Sequence, residues 1–274
     1  VSGFLEEMHR SSAQRVAAAR RREPLVALER RAAEVPAAPA LKLTGGFDVI
    51  AELKLRSPAQ GALGAATDDW RSRVRAYASA GAAAVSVLTE PTRFDGSLEH
   101  LREAAAALAP LGVPAMRKDF IVDPYQVLEA RAAGAGGVLL IARMLRREDI
   151  ADLLAAAIDQ GLFVLLEAFD EADLALCGEL VRAQRPAEAT VLVGVNCRDL
   201  DTLKVEKGRF KALAPRLPPH VLGVAESGVA NADDALEMRR LGYRLALVGT
   251  ALMAREEPGM LLSEIFAATR TVQS

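Results

Sequence analysis

The sequence predicts an α/β fold, a (β/α)8 TIM barrel with an N-terminal helical extension, from three observations. Eight short β-branched or leucine-rich runs alternate with longer alanine-rich segments of helical period. The runs recur at about the length of one strand-plus-helix unit, and eight such units close a ring. The glycine-rich dinucleotide fingerprint of an open doubly wound sheet, the competing architecture, is missing after the first run, where Lys54-Leu55-Arg56-Ser57-Pro58 stands. At 274 residues and 51% hydrophobic, the chain has the size of one large core. The expected organisation is a single barrel domain over residues 1–274, of which 1–47 form the extension and linker.

The elements follow in order. From Gly3 to about Ala33, Phe4, Leu5, Met8, Val16, Leu25 and Leu28 fall among charged residues at roughly helical spacing, which reads as one or two amphipathic helices. Val35-Pro36-Ala37-Ala38-Pro39 then breaks helix, since proline lacks an amide donor and restricts the residue before it. The strands are expected at Val49 to Lys54, Ala84 to Leu88, Val113 to Lys118, Gly137 to Ile141, Phe163 to Glu167, Val191 to Asn196, Val221 to Glu226 and Leu245 to Gly249. Gly81-Ala82 and Gly134-Ala135 precede two of them, where a helix ends in a left-handed turn before the chain re-enters the barrel floor.

Composition narrows the function classes. The net charge is −2 with both signs interspersed, so no basic stripe points to nucleic acid, and a small molecule is the expected partner. Cys177 and Cys197 have no zinc-site spacing and are too few for a disulfide framework. The segment Val1 to Arg31 lacks the continuous apolar core of a signal peptide, and no later stretch is long enough to span a bilayer, so a soluble, cytoplasmic protein is expected. His9, His100 and His220 lie in the extension, in a helix and on the face opposite the strand ends. None is placed for catalysis, and no metal or cofactor is expected.

In these barrels the active site lies at the carboxyl-terminal face, so polar residues that end apolar strands carry information. Glu52 and Lys54 end strand one, Lys118 strand three, Glu167 strand five, Asn196 with Arg198 strand six, and Glu226 with Ser227 strand seven. Each alone also reads as a solvated residue leaving the sheet. Together they point to acid–base chemistry, with a lysine protonating a carbonyl or hydroxyl oxygen and Glu167 as base; desolvation is expected to lower the lysine pKa toward working pH. The structural alternative for Lys118 is a salt bridge with Asp119 or Asp123. Ser227-Gly228 and Gly249-Thr250 occupy the two loops that in many barrels receive phosphate, and Ser57 offers a further hydroxyl unless Ser57-Pro58 is only a turn.

Taken together, these motifs resemble the indole-3-glycerol phosphate synthase family over nearly the full length. The resemblance rests on Ile50-Ala51-Glu52-Leu53-Lys54 with Ser57-Pro58, Ser86-Val87-Leu88-Thr89-Glu90 with Phe94, Arg117-Lys118-Asp119-Phe120 with Asp123, Val195-Asn196-Cys197-Arg198-Asp199-Leu200, Ala225-Glu226-Ser227-Gly228 and Val248-Gly249-Thr250. It implies conversion of 1-(2-carboxyphenylamino)-1-deoxyribulose 5-phosphate to indole-3-glycerol phosphate, with loss of carbon dioxide and water and without a cofactor. By resemblance, Lys118 is the general acid on the substrate carbonyl and Glu167 exchanges protons during dehydration. Lys54 is divided between acid and carboxylate binding, the latter with Arg198. Glu52, Asn196 and Glu226 position the substrate and support a cationic intermediate. Ser57, Ser227, Gly228, Gly249 and Thr250 surround the phosphate. Phe94, Phe120 and Leu139 form an apolar slot for the aromatic ring, with Phe4 either a cover or ordinary helix packing.

Three positions depart from the family pattern. Cys197 replaces an asparagine, Thr250 a serine, and Gly136 an aspartate before strand four; none removes a proposed acid or base. The rival readings are a phosphoribosylanthranilate isomerase-like barrel, a Schiff-base aldolase and a non-catalytic phosphosugar-binding barrel. A pathway-enzyme partner and homo-oligomerisation stay open.

Overall fold

The computed structural model describes residues 3–57, 61–62, 69–183 and 190–270. Eight parallel strands close a barrel: β1 (Asp48–Leu53), β2 (Ala84–Leu88), β3 (Ala115–Lys118), β4 (Gly137–Ile141), β5 (Phe163–Ala168), β6 (Val191–Asn196), β7 (Leu222–Glu226) and β8 (Leu245–Val248). Each pairs with its neighbours in sequence, and β8 pairs with β1 through Asp48↔Leu245 to Ala51↔Val248, which excludes the open sheet. The strands match the expected runs to within two residues. Val113 and Pro114 fall outside β3, where proline has no N–H for the ladder although its carbonyl accepts from Val85 N at 3.0 Å.

Alternation along the strands explains the apolar runs and the polar ends together. Inward residues Ile50, Met116, Leu139, Leu165, Leu192, Val224 and Leu245 fill the barrel. Outward residues such as Val49, Val85, Leu140, Val164 and Val193 pack beneath the surrounding helices. Both faces are buried, so the strands read as continuous hydrophobic runs. Two residues beyond an inward residue the chain faces inward again. Thus Glu52 follows Ile50, Lys118 follows Met116 and Glu167 follows Leu165 into one mouth, and Glu226 follows Val224 to the same end of the barrel, behind its wall.

The helices of the ring are α3 (Trp70–Ser79), α4 (Leu98–Leu108), α5 (Pro124–Ala132), α6 (Arg147–Asp159), α7 (Glu171–Ala183), α8 (Gly208–Leu213), α9 (Ala232–Arg240) and α10 (Pro258–Arg270), after α1 (Gly3–Arg22) and α2 (Leu25–Glu34) of the extension. Side-chain caps from Asp69, Ser97, Asp123 and Asn231 start α3, α4, α5 and α9. Gly81 (φ 96°) and Gly134 (φ 82°) supply the left-handed turns expected there. Gly136 has a packing reason: a Cβ would lie 2.7 Å from Pro114 Cβ and 3.2 Å from Pro39 O, because the linker crosses the barrel floor at that point.

The extension is two helices, and it reaches the mouth. Leu5 and Met8 join the inner cluster with Phe120. Val16, Ala19, Leu28 and Ala32 bury against Tyr125 and Ala132 of α5. Ser12 Oγ donates to Phe120 O at 2.5 Å, and Arg15 grips Asp119 through Nη1 and Nη2 at 3.0 and 2.8 Å. Among the described residues no helix is long and apolar enough to cross a membrane.

Candidate active site

At the carboxyl ends of the strands lies a cavity of about 530 Å³. Of the residues singled out in the sequence, Glu52, Lys54, Phe94, Lys118, Phe120, Leu139, Glu167, Asn196, Arg198, Ser227, Gly228, Gly249 and Thr250 all line it. Glu226 does not: it lies fully buried behind the wall, against Lys118. Ser57 is described only through its backbone, in a two-residue ribbon with Gly61–Ala62; its side chain and Pro58 lie outside the described residues.

Lys118 is the hub. Its Nζ lies 3.2 Å from Glu52 Oε2, 3.7 Å from Glu226 Oε2 and 4.0 Å from Glu167 Oε2. The salt bridge that the sequence allowed with Asp119 or Asp123 is not made. Strand alternation turns Asp119 away from Lys118 and toward Arg117, Thr89 and Arg15, while Asp123 caps α5 and pairs with Arg20.

The expectation of a lowered lysine pKa is also corrected for Lys118. Burial alone pushes it down, but Glu52, Glu226 and Glu167 together hold it above the ordinary lysine value. Lys118 therefore stands in the site as an ammonium.

The three carboxylates are not equivalent. Burial raises Glu52, but Lys118 and Lys54 override it and hold the carboxyl down at about 2. Glu226 goes the other way. Complete burial and then the charge of Glu167 raise it well above the ordinary value, with Lys118 opposing. Neither of its oxygens has a hydrogen-bond donor in reach among the described residues. Glu167 takes the Asn196 amide at 3.3 Å.

Lys54 bridges two parts of the site. Its Nζ lies 3.2 Å from Glu52 Oε1 and 3.4 Å from Thr250 Oγ1, in the loop after β8. Ser227, in the facing loop, holds φ 69°, a left-handed conformation uncommon for a residue with a Cβ. Gly228 is obligatory on packing grounds, since a Cβ would lie 2.3 Å from Phe210 and 2.9 Å from Cys197 Sγ. Cys197 accordingly occupies a fully buried position in which its Sγ reaches Glu226 O at 3.4 Å. Arg198 donates to Leu203 O at 2.9 Å and receives support at its own N–H from Asn196 Oδ1 at 2.9 Å.

The opposite wall is apolar. Phe120 meets Phe4 edge-on with centroids 5.8 Å apart and Phe94 at 6.3 Å. Phe4 packs against the inner cluster and also lines the cavity. Leu88, Ile141, Leu200 and Leu247 complete the slot and were not singled out in the sequence. The Arg15–Asp119–Arg117 chain beneath Phe120 was missed as well. Its only sequence signal was the acid beside Lys118, which carries no indication of a partner over 100 residues away.

An enclosed, half-apolar mouth on a (β/α)8 barrel, with an ammonium among carboxylates on one wall and two glycine-bearing loops on another, defines a barrel enzyme of acid–base chemistry. The family model for indole-3-glycerol phosphate synthase matches residues 5–265. The chain belongs to that family. An indole-3-glycerol phosphate synthase of Leifsonia xyli is 44% identical over 253 residues, 90% of this chain and 92% of its own. One of Parafrankia sp. is 42% identical over 255 residues, 92% and 91% of the two chains. Among solved structures, 3-hexulose-6-phosphate synthase from Salmonella typhimurium superposes with a TM-score of 0.62 over 82% of this chain and 99% of its own. At 12% identity that likeness shows the barrel alone.

Proposed function

We propose that this site closes the indole ring of 1-(2-carboxyphenylamino)-1-deoxyribulose 5-phosphate, releasing carbon dioxide and water to leave indole-3-glycerol phosphate. The observation that carries the reading is Lys118, a buried ammonium that lines the cavity with an apolar slot and lies beside three carboxyl groups. As the ring carbon attacks the substrate carbonyl, the oxygen gains electrons and becomes basic enough to take the Lys118 proton. The resulting positive charge on the amine nitrogen lies among Glu52, Glu167 and Glu226, whose net charge favours it. Loss of carbon dioxide returns an electron pair to the ring. Departure of the new hydroxyl as water then takes one proton from a lysine of the site, and Glu167, held by Asn196, removes one from the new five-membered ring.

The geometry supports an anchoring role for Lys54. Its contact with Thr250 sets it beside the loops of Ser227, Gly228, Gly249 and Thr250, assigned here to the phosphate. With Arg198 it supplies positive charge for substrate anions. Phe94, Phe120 and Leu139 take the aromatic ring, with Phe4 over it. We place the enzyme in the cytoplasm, where its two free, buried cysteines suit a reducing compartment.

The test is direct. Purified protein is mixed separately with the carboxyphenylamino substrate and with phosphoribosylanthranilate, and indole absorbance is followed. Indole product from the first supports the reading. Isomerisation of the second without indole product overturns it, and a borohydride-trapped adduct on Lys54 or Lys118 would replace it with imine chemistry.

A further inference from the structure

Glu226 ends β7, yet its carboxylate leans across the neighbouring strand. In β6 the inward position two residues before Asn196 is Gly194, paired in register with Glu167 on one side and Val224 on the other. A Cβ on Gly194 would lie 1.9 Å from Glu226 Oε1 and 3.0 Å from its Cδ. Gly194 has no left-handed backbone conformation. The position therefore uses the missing side chain and not the freedom of glycine.

What a side chain there would meet decides the consequence. The first contact is the end of Glu226 and not backbone, so the displacement falls on the carboxylate before it falls on the fold. The displaced group has little room, because Leu165 Cδ1 stands 3.1 Å from the same Cβ position and Lys118 Nζ lies 3.7 Å from Glu226 Oε2. Gly249, directly after β8, repeats the device: a Cβ there would lie 2.4 Å from Glu52 Oε1. Two of the three carboxylates around Lys118 thus occupy volume vacated by a glycine on an adjacent strand or directly after it. Gly249 also belongs to the proposed phosphate loops, so Gly194 isolates the effect.

We infer that Gly194 is a positioning residue, whose absent side chain seats the Glu226 carboxylate beside Lys118 and Glu167. The inference rests on the ring-closing reading above. Wild-type turnover is therefore measured first, and its absence overturns that reading before any variant is judged.

With turnover established, Gly194→Ala is expected to lower kcat by about 10- to 100-fold, the effect of a displacement near 1 Å, with KM little changed. Glu226→Asp withdraws the carboxylate by one methylene. Combined with Gly194→Ala it should lose less than the product of the two single losses. Titration of 13C-labelled glutamate carboxyls gives a readout without turnover, in which Gly194→Ala should move the midpoint of the most basic carboxyl.

Wild-type kcat in Gly194→Ala, strict additivity in the double variant, or a lowered Tm with an unchanged carboxyl titration each overturn the inference. Should Gly194→Ala fail to fold, the double variant is expected to restore folded protein, and failure to do so also overturns it.

Discussion

Glu52 joins the two lysines of the site: its Oε2 lies 3.2 Å from Lys118 Nζ and its Oε1 3.2 Å from Lys54 Nζ. The shared carboxylate separates two otherwise similar ammonium groups, one toward the carboxylate cluster and one toward Thr250. The lysines should therefore differ in kinetics. Lys118→Ala is expected to lower kcat by about 10²- to 10⁴-fold, the range for loss of a general acid, with phosphate affinity largely spared. Lys54→Ala is expected to raise KM more than it lowers kcat. Steady-state kinetics with inorganic phosphate as a competitor separates the two outcomes.

Glu226 and Glu52 contribute to stability with opposite signs. Glu226 is raised in the folded protein, so its contribution is present below the ordinary 4.5 and is lost as pH rises toward its folded value. Glu52 is depressed to about 2, so its contribution is present above 4.5 and is lost as pH falls from there toward 2. Glu226→Gln should consequently raise Tm at pH 8, by about 2–4 °C for each kcal/mol recovered, and the gain should shrink toward pH 4.5. Activity should fall in the same variant, a stability cost that function maintains. Thermal melts across pH 4 to 9 check the sign, and a lower Tm at pH 8 would contradict it.

Arg15 of α1 reaches a buried carboxylate next to both Lys118 and Phe120. In Arg15→Ala, Asp119 keeps Arg117 and Thr89 as partners. The expected stability loss is therefore that of hydrogen bonds to one charged group, about 1.5–3 kcal/mol by urea unfolding. Because α1 carries Phe4 against Phe120, KM should rise more than kcat falls. An unchanged KM would detach the extension from substrate binding.

Cys197 is fully buried, and burial pushes its thiol up to about 11. Burial likewise holds Cys177 at about 12. The thiolate is the reactive form, so native protein at pH 8 should resist a disulfide reagent and titrate two thiols only after denaturation. Rapid labelling of the native protein would show that one of these sites opens.

Much of the fold was legible because a parallel barrel buries both faces of each strand, which leaves continuous apolar runs between helical segments. The polar ends were legible too, since Glu52, Lys118, Glu167 and Glu226 interrupt those runs at inward positions. The partner of Lys118 was not. Local spacing offered Asp119 and Asp123, whereas the charges that surround Lys118 arrive from strands β1, β5 and β7.

By itself, then, the sequence determined which side chains reach the mouth, because inward alternation is a property of each strand alone. Tertiary closure decided what those side chains do to one another. It turned the expected lowered pKa of Lys118 into a raised one, split Glu52 from Glu226, and made a glycine of β6 and the one directly after β8 into seats for carboxylates of neighbouring strands. Electrostatic energy and steric exclusion depend on distances across the ring, and those distances exist only once β8 has paired with β1.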